Sequence, residues 1–550
     1  MATIDATTLG LGFAALVLLM KYRSDSFRSG VVDTHPMILR NQTHFSQTRN
    51  KGEWAIARNR ATPFPTKNHP QFVNSLFESL VKLLASTPDR PFLHYKPIPN
   101  GPFASVSVSH VSTLTKNTGA GLIHLAGGET SHLGIFIEDA KDVVDLLVLD
   151  FVSILYGFIG CWWSDENTEL GDNVLGKVLA LSELRVVVVS ESGIDKVLNV
   201  AGQSKKLQHI VVAGLNAISK THVERAAALK VNISTLDSVR EIGKEHPKEF
   251  NKPEQTDTAC ILFESSRDST KGEISGTVLT HSNVAVAISA VYVTLPQAEK
   301  INEQDVLLLR SHCITSFECC LVYATLFAGG QVGFSSSDSL ILDEIALLRP
   351  TLLTSSAQVL QKLSGAITSH PQSKGFAFQY AISAKKRELA EGRSWTGTIY
   401  DKFVLKPVER GVFGGKLRVV WNLHSAKQPT DVKSVELIRA VLGTQVFETF
   451  SRSEACGLVA CSGYGDYEVV AHVGIPAANL EYKLIDAPGI DYLVTDSPNP
   501  RGSVCIRGPA TSKTYFKDPI KSAAVVDGEG WIRLGGVYGE VRANGTLKLI

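Results

Sequence analysis

Between Leu133 and Thr449, short runs of β-branched and aliphatic residues alternate with longer amphipathic stretches, and no other feature of the chain narrows its fold so far. LGIFI (133–137) is followed by a helical stretch from Asp142 to Tyr156, then by RVVVV (185–189) and HIVVA (209–213). Strands that are apolar along their whole length and separated by helix-length segments belong to parallel sheets covered on both faces. A polar, Pro-containing stretch (245–258) intervenes, and the alternation resumes with ACILF (259–263), DVLLL (305–309), QVGF (331–334), PTLLT (350–354), KLRVV (416–420) and QVFET (445–449). From about Val469 the spacing shortens, with turns at 487–489, 498–502 and 527–530, the pattern of an antiparallel, barrel-like module. The sequence therefore predicts an α/β protein: two doubly wound α/β subdomains (91–252 and 253–465), a small antiparallel β-barrel-like subdomain (466–550), and an extension at 23–90 ahead of them.

Leu9 to Met20 is uninterrupted apolar sequence, and counted from Ile4 the segment reaches about 17 residues, the bottom of the spanning range. Lys21, Arg23 and Arg28 follow it instead of preceding it. That order predicts an uncleaved anchor at 1–22 with the body in the cytosol, at the endoplasmic reticulum membrane; a cleaved signal peptide is the alternative. Asn41, Asn232 and Asn544 head glycosylation sequons, which matter only if the body is lumenal. Fifty-five Lys and Arg against fifty-four Asp and Glu leave no global field to hold a polyanion, which removes nucleic acid as a main partner. The eight cysteines include no C-x-x-C pair and read as reduced core thiols.

No Gly-x-Ser-x-Gly elbow, His-Glu-x-x-His helix or Walker loop is present, so serine hydrolase, zinc protease and P-loop chemistry lack a carrier. What remains is a set of segments in a fixed order: LTHSN (279–283), LFAGGQVGF (326–334), FGGKLRVV (413–420), VFETFSRSEACG (446–457), VVAHVGIPAANLEYKLID (469–486), RGSVCIRGP (501–509), TYFKDPIKSA (514–523), DGEGWI (527–532) and NGTLKLI (544–550). In these the chain resembles the adenylate-forming superfamily, and within it the long-chain acyl-CoA synthetases, across roughly residues 90 to 550. The resemblance implies the large N-terminal adenylation fold, ATP and Mg²⁺ as cofactors, CoA as co-substrate and a long-chain fatty acid as substrate. In such chemistry N–H groups, hydroxyls, a Lys and Mg²⁺ cradle the triphosphate while the carboxylate attacks the α-phosphorus.

Carried over position by position, the resemblance assigns the phosphate loop to 264–276, with Ser265, Ser266, Ser269, Thr270, Lys271 and Gly272 facing the nucleotide. Two glycines of the family loop have become Ser266 and Ser269, which puts Cβ atoms where backbone would approach phosphate. Glu454 falls where the family keeps its Mg²⁺-binding Glu, with Ser453 in place of a Thr, Arg452 in place of an uncharged residue, and Phe450 at the aromatic position beside adenine. His312 matches a family His. Gly536 stands where the family has its ribose-binding Asp. Losing two hydrogen bonds to a charged acceptor predicts roughly a hundredfold to ten-thousandfold weaker nucleotide binding. Glu540 is the nearest replacement carboxylate in sequence, and Tyr515 lies in the well-matched 514–523 segment.

Family members also continue past a segment like NGTLKLI into a mobile lid domain carrying the Lys that assists adenylation; with the sequence stopping at Ile550, that lid is expected to be absent. The expectation is a membrane-anchored long-chain fatty acid–CoA ligase homologue in lipid metabolism whose unaided ligase activity is impaired. Its counterpart in another class is a pseudoenzyme: a non-catalytic fatty-acid-binding or regulatory partner of an intact acyl-CoA synthetase, using no cofactor.

Overall fold

The computed structural model describes residues 40–48, 50–62, 75–86, 90–128, 131–163, 172–265, 273–309, 315–390, 400–424, 430–443, 445–466 and 472–550. Among these the chain forms three sheets.

The first sheet runs, in spatial order, Ile274–Thr280, Thr258–Ser265, Ile159–Trp163, His132–Phe136, Val186–Val189, His209–Val212 and Asn232–Thr235. Every neighbouring pair is parallel except the first. All four residues of Val186–Val189 are buried, as a parallel strand covered on both faces requires. The sequence places 259–263 in the second unit, but this strand pairs with Ile159–Trp163 in the first sheet, Cys260 opposite Gly160. The polar stretch before it is a loop within the sheet. Composition cannot distinguish such a loop from a border, because the pairing that decides the matter is non-local.

The second sheet has nine strands: Ile475–Pro476, Gly457–Cys461, Gln445–Arg452, Val419–Leu423, Leu352–Ser355, Val306–Leu309, Gln331–Phe334, Pro91–Tyr95 and Ala104–Ser107. Its centre is parallel and its ends are antiparallel. The third sheet is wholly antiparallel: Thr43–Ser46, Ile56–Asn59, Glu481–Ile485, Arg501–Arg507, Ile532–Val541 and Leu547–Leu549. It is the β-rich unit the turn spacing predicts, with one addition. Residues 43–59, read from sequence as part of an extension, supply its first two strands.

The helices Val143–Tyr156, His281–Val293 and Ser316–Phe327 are buried over most of their circumference, as expected of helices enclosed within a large core. His281–Val293 begins where LTHSN predicts: Thr280 caps Asn283 N–H, and the Asn283 side chain returns the bond. The helices Val108–Leu125 and Leu236–Glu245 approach at backbone distance. A Cβ added at Gly243 would lie 1.9 Å from the Asn117 carbonyl oxygen, and one at Gly121 would lie 2.0 Å from that of Val239.

The proposed anchor at 1–22 lies outside the described residues, among which no helix is long and apolar enough to cross a membrane. The seven described cysteines are free thiols.

Candidate functional site

The three sheets converge on one cavity of about 310 Å³. Glu264, Ser265 and Ser275 reach it from the first sheet, Arg452 and Glu454 from the end of a strand of the second, and Ser503, Arg533, Gly536 and Tyr538 from the third. Tyr515 and Lys521 close it from the 515–521 segment, which leads into the helix Pro519–Val525.

Its centre is set by a local turn. The strand Gln445–Arg452 passes into a single 3₁₀ turn, Ser453–Ala455, which ends at Cys456 in the left-handed region (φ 53°). The turn folds Glu454 back beneath Arg452. Nε of Arg452 donates to Glu454 Oε2 at 3.2 Å and Nη2 donates to Oε1 at 3.1 Å. The Tyr515 hydroxyl donates to the same Oε1 at 3.1 Å. Both side chains of the ion pair are almost wholly buried. Burial alone would push the Glu454 carboxyl up, but the Arg452 guanidinium and the Tyr515 hydroxyl hold it well below the usual carboxylate range. Burial and the Glu454 charge push the Tyr515 hydroxyl far above its ordinary value, so it stays protonated and donates.

Ser453 Oγ donates to Glu264 Oε1 at 2.6 Å, which ties this turn to the end of the Thr258–Ser265 strand. Lys521 Nζ donates to Ser275 Oγ at 3.0 Å and lies 4.4 Å from the centroid of the Tyr515 ring. Arg533 Nε donates to Ser503 Oγ at 3.1 Å. Among the described residues the lining thus sets three cations, Arg452, Lys521 and Arg533, against two carboxylates, one of them neutralised within the protein. Such a wall suits an anion.

It does not suit a divalent metal at Glu454. Mg²⁺ requires near-octahedral oxygen coordination with free carboxylate lone pairs, whereas both oxygens of Glu454 accept from Arg452 and one also accepts from Tyr515. No group of three or more His, Cys, Asp or Glu side chains among the described residues could hold a metal ion.

Of the residues singled out from sequence, Ser265, Glu454 and Gly536 line the cavity, and Ser453 is bonded into its wall. Gly536 adopts φ +63°, so the position carries neither a side chain nor an ordinary backbone. Phe450 departs from its expected role beside a base: it is 5% exposed, packs in the main hydrophobic core and does not line the cavity. It stands two residues before Arg452 on the same strand, across a register shift between Phe450 and Ser451 that breaks the regular alternation of faces. Glu540 accepts from Asn499 Nδ2 at 2.7 Å and is likewise not in the lining. Ser266, Ser269, Thr270, Lys271, Gly272 and His312 lie outside the described residues. Sequence reasoning passed over Lys521, Arg533 and Ser275; the signal available was that Lys521 belongs to the matched 514–523 segment.

The model of the AMP-binding enzyme family matches residues 82–516. Long chain acyl-CoA synthetase 6, peroxisomal, of Arabidopsis thaliana is 25% identical over 513 residues, covering 91% of this chain and 70% of that protein. Fatty acyl-CoA synthetase A of Dictyostelium discoideum is 27% identical over 456 residues, covering 82% of this chain and 65% of that protein. The chain thus spans about two thirds of the length of these relatives. Among solved structures, the A domain of a carboxylic acid reductase from Segniliparus rugosus, in complex with AMP and a co-purified carboxylic acid, superposes with a TM-score of 0.65 at 17% identity, over 89% of this chain and 76% of that one.

Proposed function

The chain belongs to the AMP-binding enzyme family, with a fold like that of long-chain acyl-CoA synthetases, and from that premise we propose that it binds a long-chain fatty acid and an adenylate while its own ligase activity is weak. The observation that carries this reading is the buried Arg452–Glu454 pair, which commits to the protein the carboxylate that the family resemblance assigns to Mg²⁺. The adenylation step in the family uses ATP with Mg²⁺ and then CoA; here the residues present offer a phosphate the guanidinium of Arg452, the ammonium of Lys521 and the guanidinium of Arg533. These groups bind and orient an anion. They leave the growing charge of a pyrophosphate leaving group with less compensation than a metal supplies. Gly536 removes a ribose contact as well, which lowers affinity for the nucleotide in ground and transition states alike.

The body of the protein is held on the cytosolic face of the endoplasmic reticulum by the apolar run Leu9 to Met20, on the support of Lys21, Arg23 and Arg28 following it. A glycosidase-sensitive mobility shift at Asn41, Asn232 or Asn544 would reverse that orientation.

The test of function is to incubate the full chain with a C16 fatty acid, Mg·ATP and CoA, follow acyl-CoA and AMP, and titrate fatty acid and AMP separately by calorimetry. Saturable binding of both with acyl-CoA formation at least about a hundredfold below an intact synthetase run in parallel is the expected outcome. Turnover equal to that of the intact enzyme would overturn the impairment, and failure to bind either ligand would overturn the reading as a whole.

A further inference from the structure

We infer that the guanidinium of Arg452 stands in for a divalent cation at this site, so that the cavity takes the phosphate of an adenylate without metal. The inference rests on the nucleotide-binding reading above and goes beyond it in the cation the site requires.

Three observations meet on Arg452. It is fixed: Nε and Nη2 both donate to Glu454, and the pair is buried. It is incompletely satisfied: among the described residues Nη1 is buried with no hydrogen-bond partner. It also lines the cavity. A buried charged donor left without an acceptor is costly and calls for an explanation, and a ligand's oxygen supplies one. A guanidinium already held by one carboxylate through two of its nitrogens presents the remaining N–H groups in a fixed plane, which suits a phosphate oxygen.

The surrounding charges narrow the ligand further. Glu454 is neutralised by Arg452, Glu264 accepts from Ser453, and Lys521 and Arg533 line the same cavity. This fixed positive charge matches a monophosphate or an acyl phosphate. Without a metal it falls short of a triphosphate, whose extra negative charge would face Glu264 across a space of about 310 Å³. The site therefore favours AMP or an acyl-adenylate over ATP, and Mg²⁺ has no free carboxylate oxygen at Glu454 through which to change that order.

Calorimetric titration of the full chain with AMP and with ATP, each in EDTA and again in excess MgCl₂, tests the inference. The AMP dissociation constant is expected to agree within about twofold between the two conditions, and ATP to bind more weakly than AMP in both. Binding of either nucleotide that strengthens tenfold or more in Mg²⁺ would overturn the internal-cation role and leave the nucleotide-binding reading standing. Absence of nucleotide binding under both conditions would overturn the two together. The double variant Arg452→Gln/Glu454→Gln removes both charges at once and so leaves no lone buried ion. It is expected to stay folded by circular dichroism and to bind AMP about tenfold or more weakly; unchanged affinity would overturn the inference.

Discussion

Replacing Arg452 by Gln strands a carboxylate. The side chains of Arg452 and Glu454 are 4% and 5% exposed, and their closest charged atoms lie 3.1 Å apart. Charge centres about 4 Å apart at an effective dielectric of about 20 attract by about 4 kcal/mol. Breaking a buried pair by removing one partner costs about 3–5 kcal/mol, since the survivor keeps its desolvation penalty. Both routes put the cost of Arg452→Gln near 4 kcal/mol at pH 7. The sign of its pH dependence follows from the folded-state carboxyl. In the wild-type protein Glu454 titrates below its ordinary value of 4.5, so its contribution is fully present above pH 4.5 and is lost as pH falls from there through the lower folded value. In Arg452→Gln the largest lowering influence is gone, leaving the Tyr515 hydroxyl against burial, so the carboxyl rises, protonation relieves the variant and its deficit should shrink between pH 7 and pH 4. Urea unfolding followed by the fluorescence of the six tryptophans, at both pH values, reads the difference. The double variant with Glu454→Gln should recover most of the loss at pH 7. A single variant that costs less than about 1 kcal/mol, or a double variant no more stable than the single, would refute the reasoning.

Asp150 has the opposite sign: burial pushes its carboxyl up to about 6 although the Tyr323 hydroxyl donates to it at 2.5 Å, so its unfavourable contribution grows as pH rises from 3.8 through 6. Asp150→Asn should therefore gain about 2 kcal/mol on the wild-type protein between pH 4 and pH 8, after allowance for partial exposure, and urea unfolding at the two pH values checks it. Gly243→Ala drives a methyl to 1.9 Å from the Asn117 carbonyl oxygen and should cost about 3 kcal/mol or more in thermal unfolding, whereas Gly127→Ala, with φ +75° and open space around the new Cβ, should cost only about 1–2 kcal/mol. Gly536→Asp returns a carboxylate to the cavity wall at φ +63°; calorimetry should show AMP binding about tenfold tighter or more, with a stability loss of about 1 kcal/mol from the left-handed backbone.

Strands that are apolar throughout were legible one by one: Val186–Val189 and Val306–Leu309 fall where their valine and leucine runs predict, whereas the strand expected at 416–420 lies three residues later, at Val419–Leu423. Their partners were not, because sequence carries the propensity of a strand and not its neighbour. Thr258–Ser265 went to the first sheet across a polar loop. The strands THFS and IARN are short and mostly polar and gave no signal until a distant edge paired with them. At the site, Glu454, Ser453, Ser265 and Gly536 were legible from their register against a family pattern. The pairing of Arg452 with Glu454 was not, since residues two apart on an extended strand do not face one another; the 3₁₀ turn at 453–455 brings them together. Lys521 and Arg533 were invisible for a different reason: an isolated cation in sequence is indistinguishable from a solvated one. Phe450 shows the converse, an aromatic whose position suggested a base and whose strand delivers it to the core.

The third sheet sews residues near one end of the chain to residues near the other: Arg58 is opposite Glu481 and its guanidinium bonds that carboxylate across 423 residues. On a ribosome elongating at about 5–20 residues per second, the Ile56–Asn59 strand waits roughly 20 to 85 seconds before the edge it pairs with exists. Through that interval it is an unpaired β-ribbon with open amide and carbonyl groups, the kind of edge that joins other chains. The first sheet can assemble as it emerges and in the second Pro91–Tyr95 waits only for Gln331–Phe334, whereas the Ile56–Asn59 strand waits for an edge 423 residues away. Chaperone dependence should therefore be concentrated at the Thr43–Asn59 hairpin, and a synonymous change of translation speed should matter more to it than to any strand of the other two sheets.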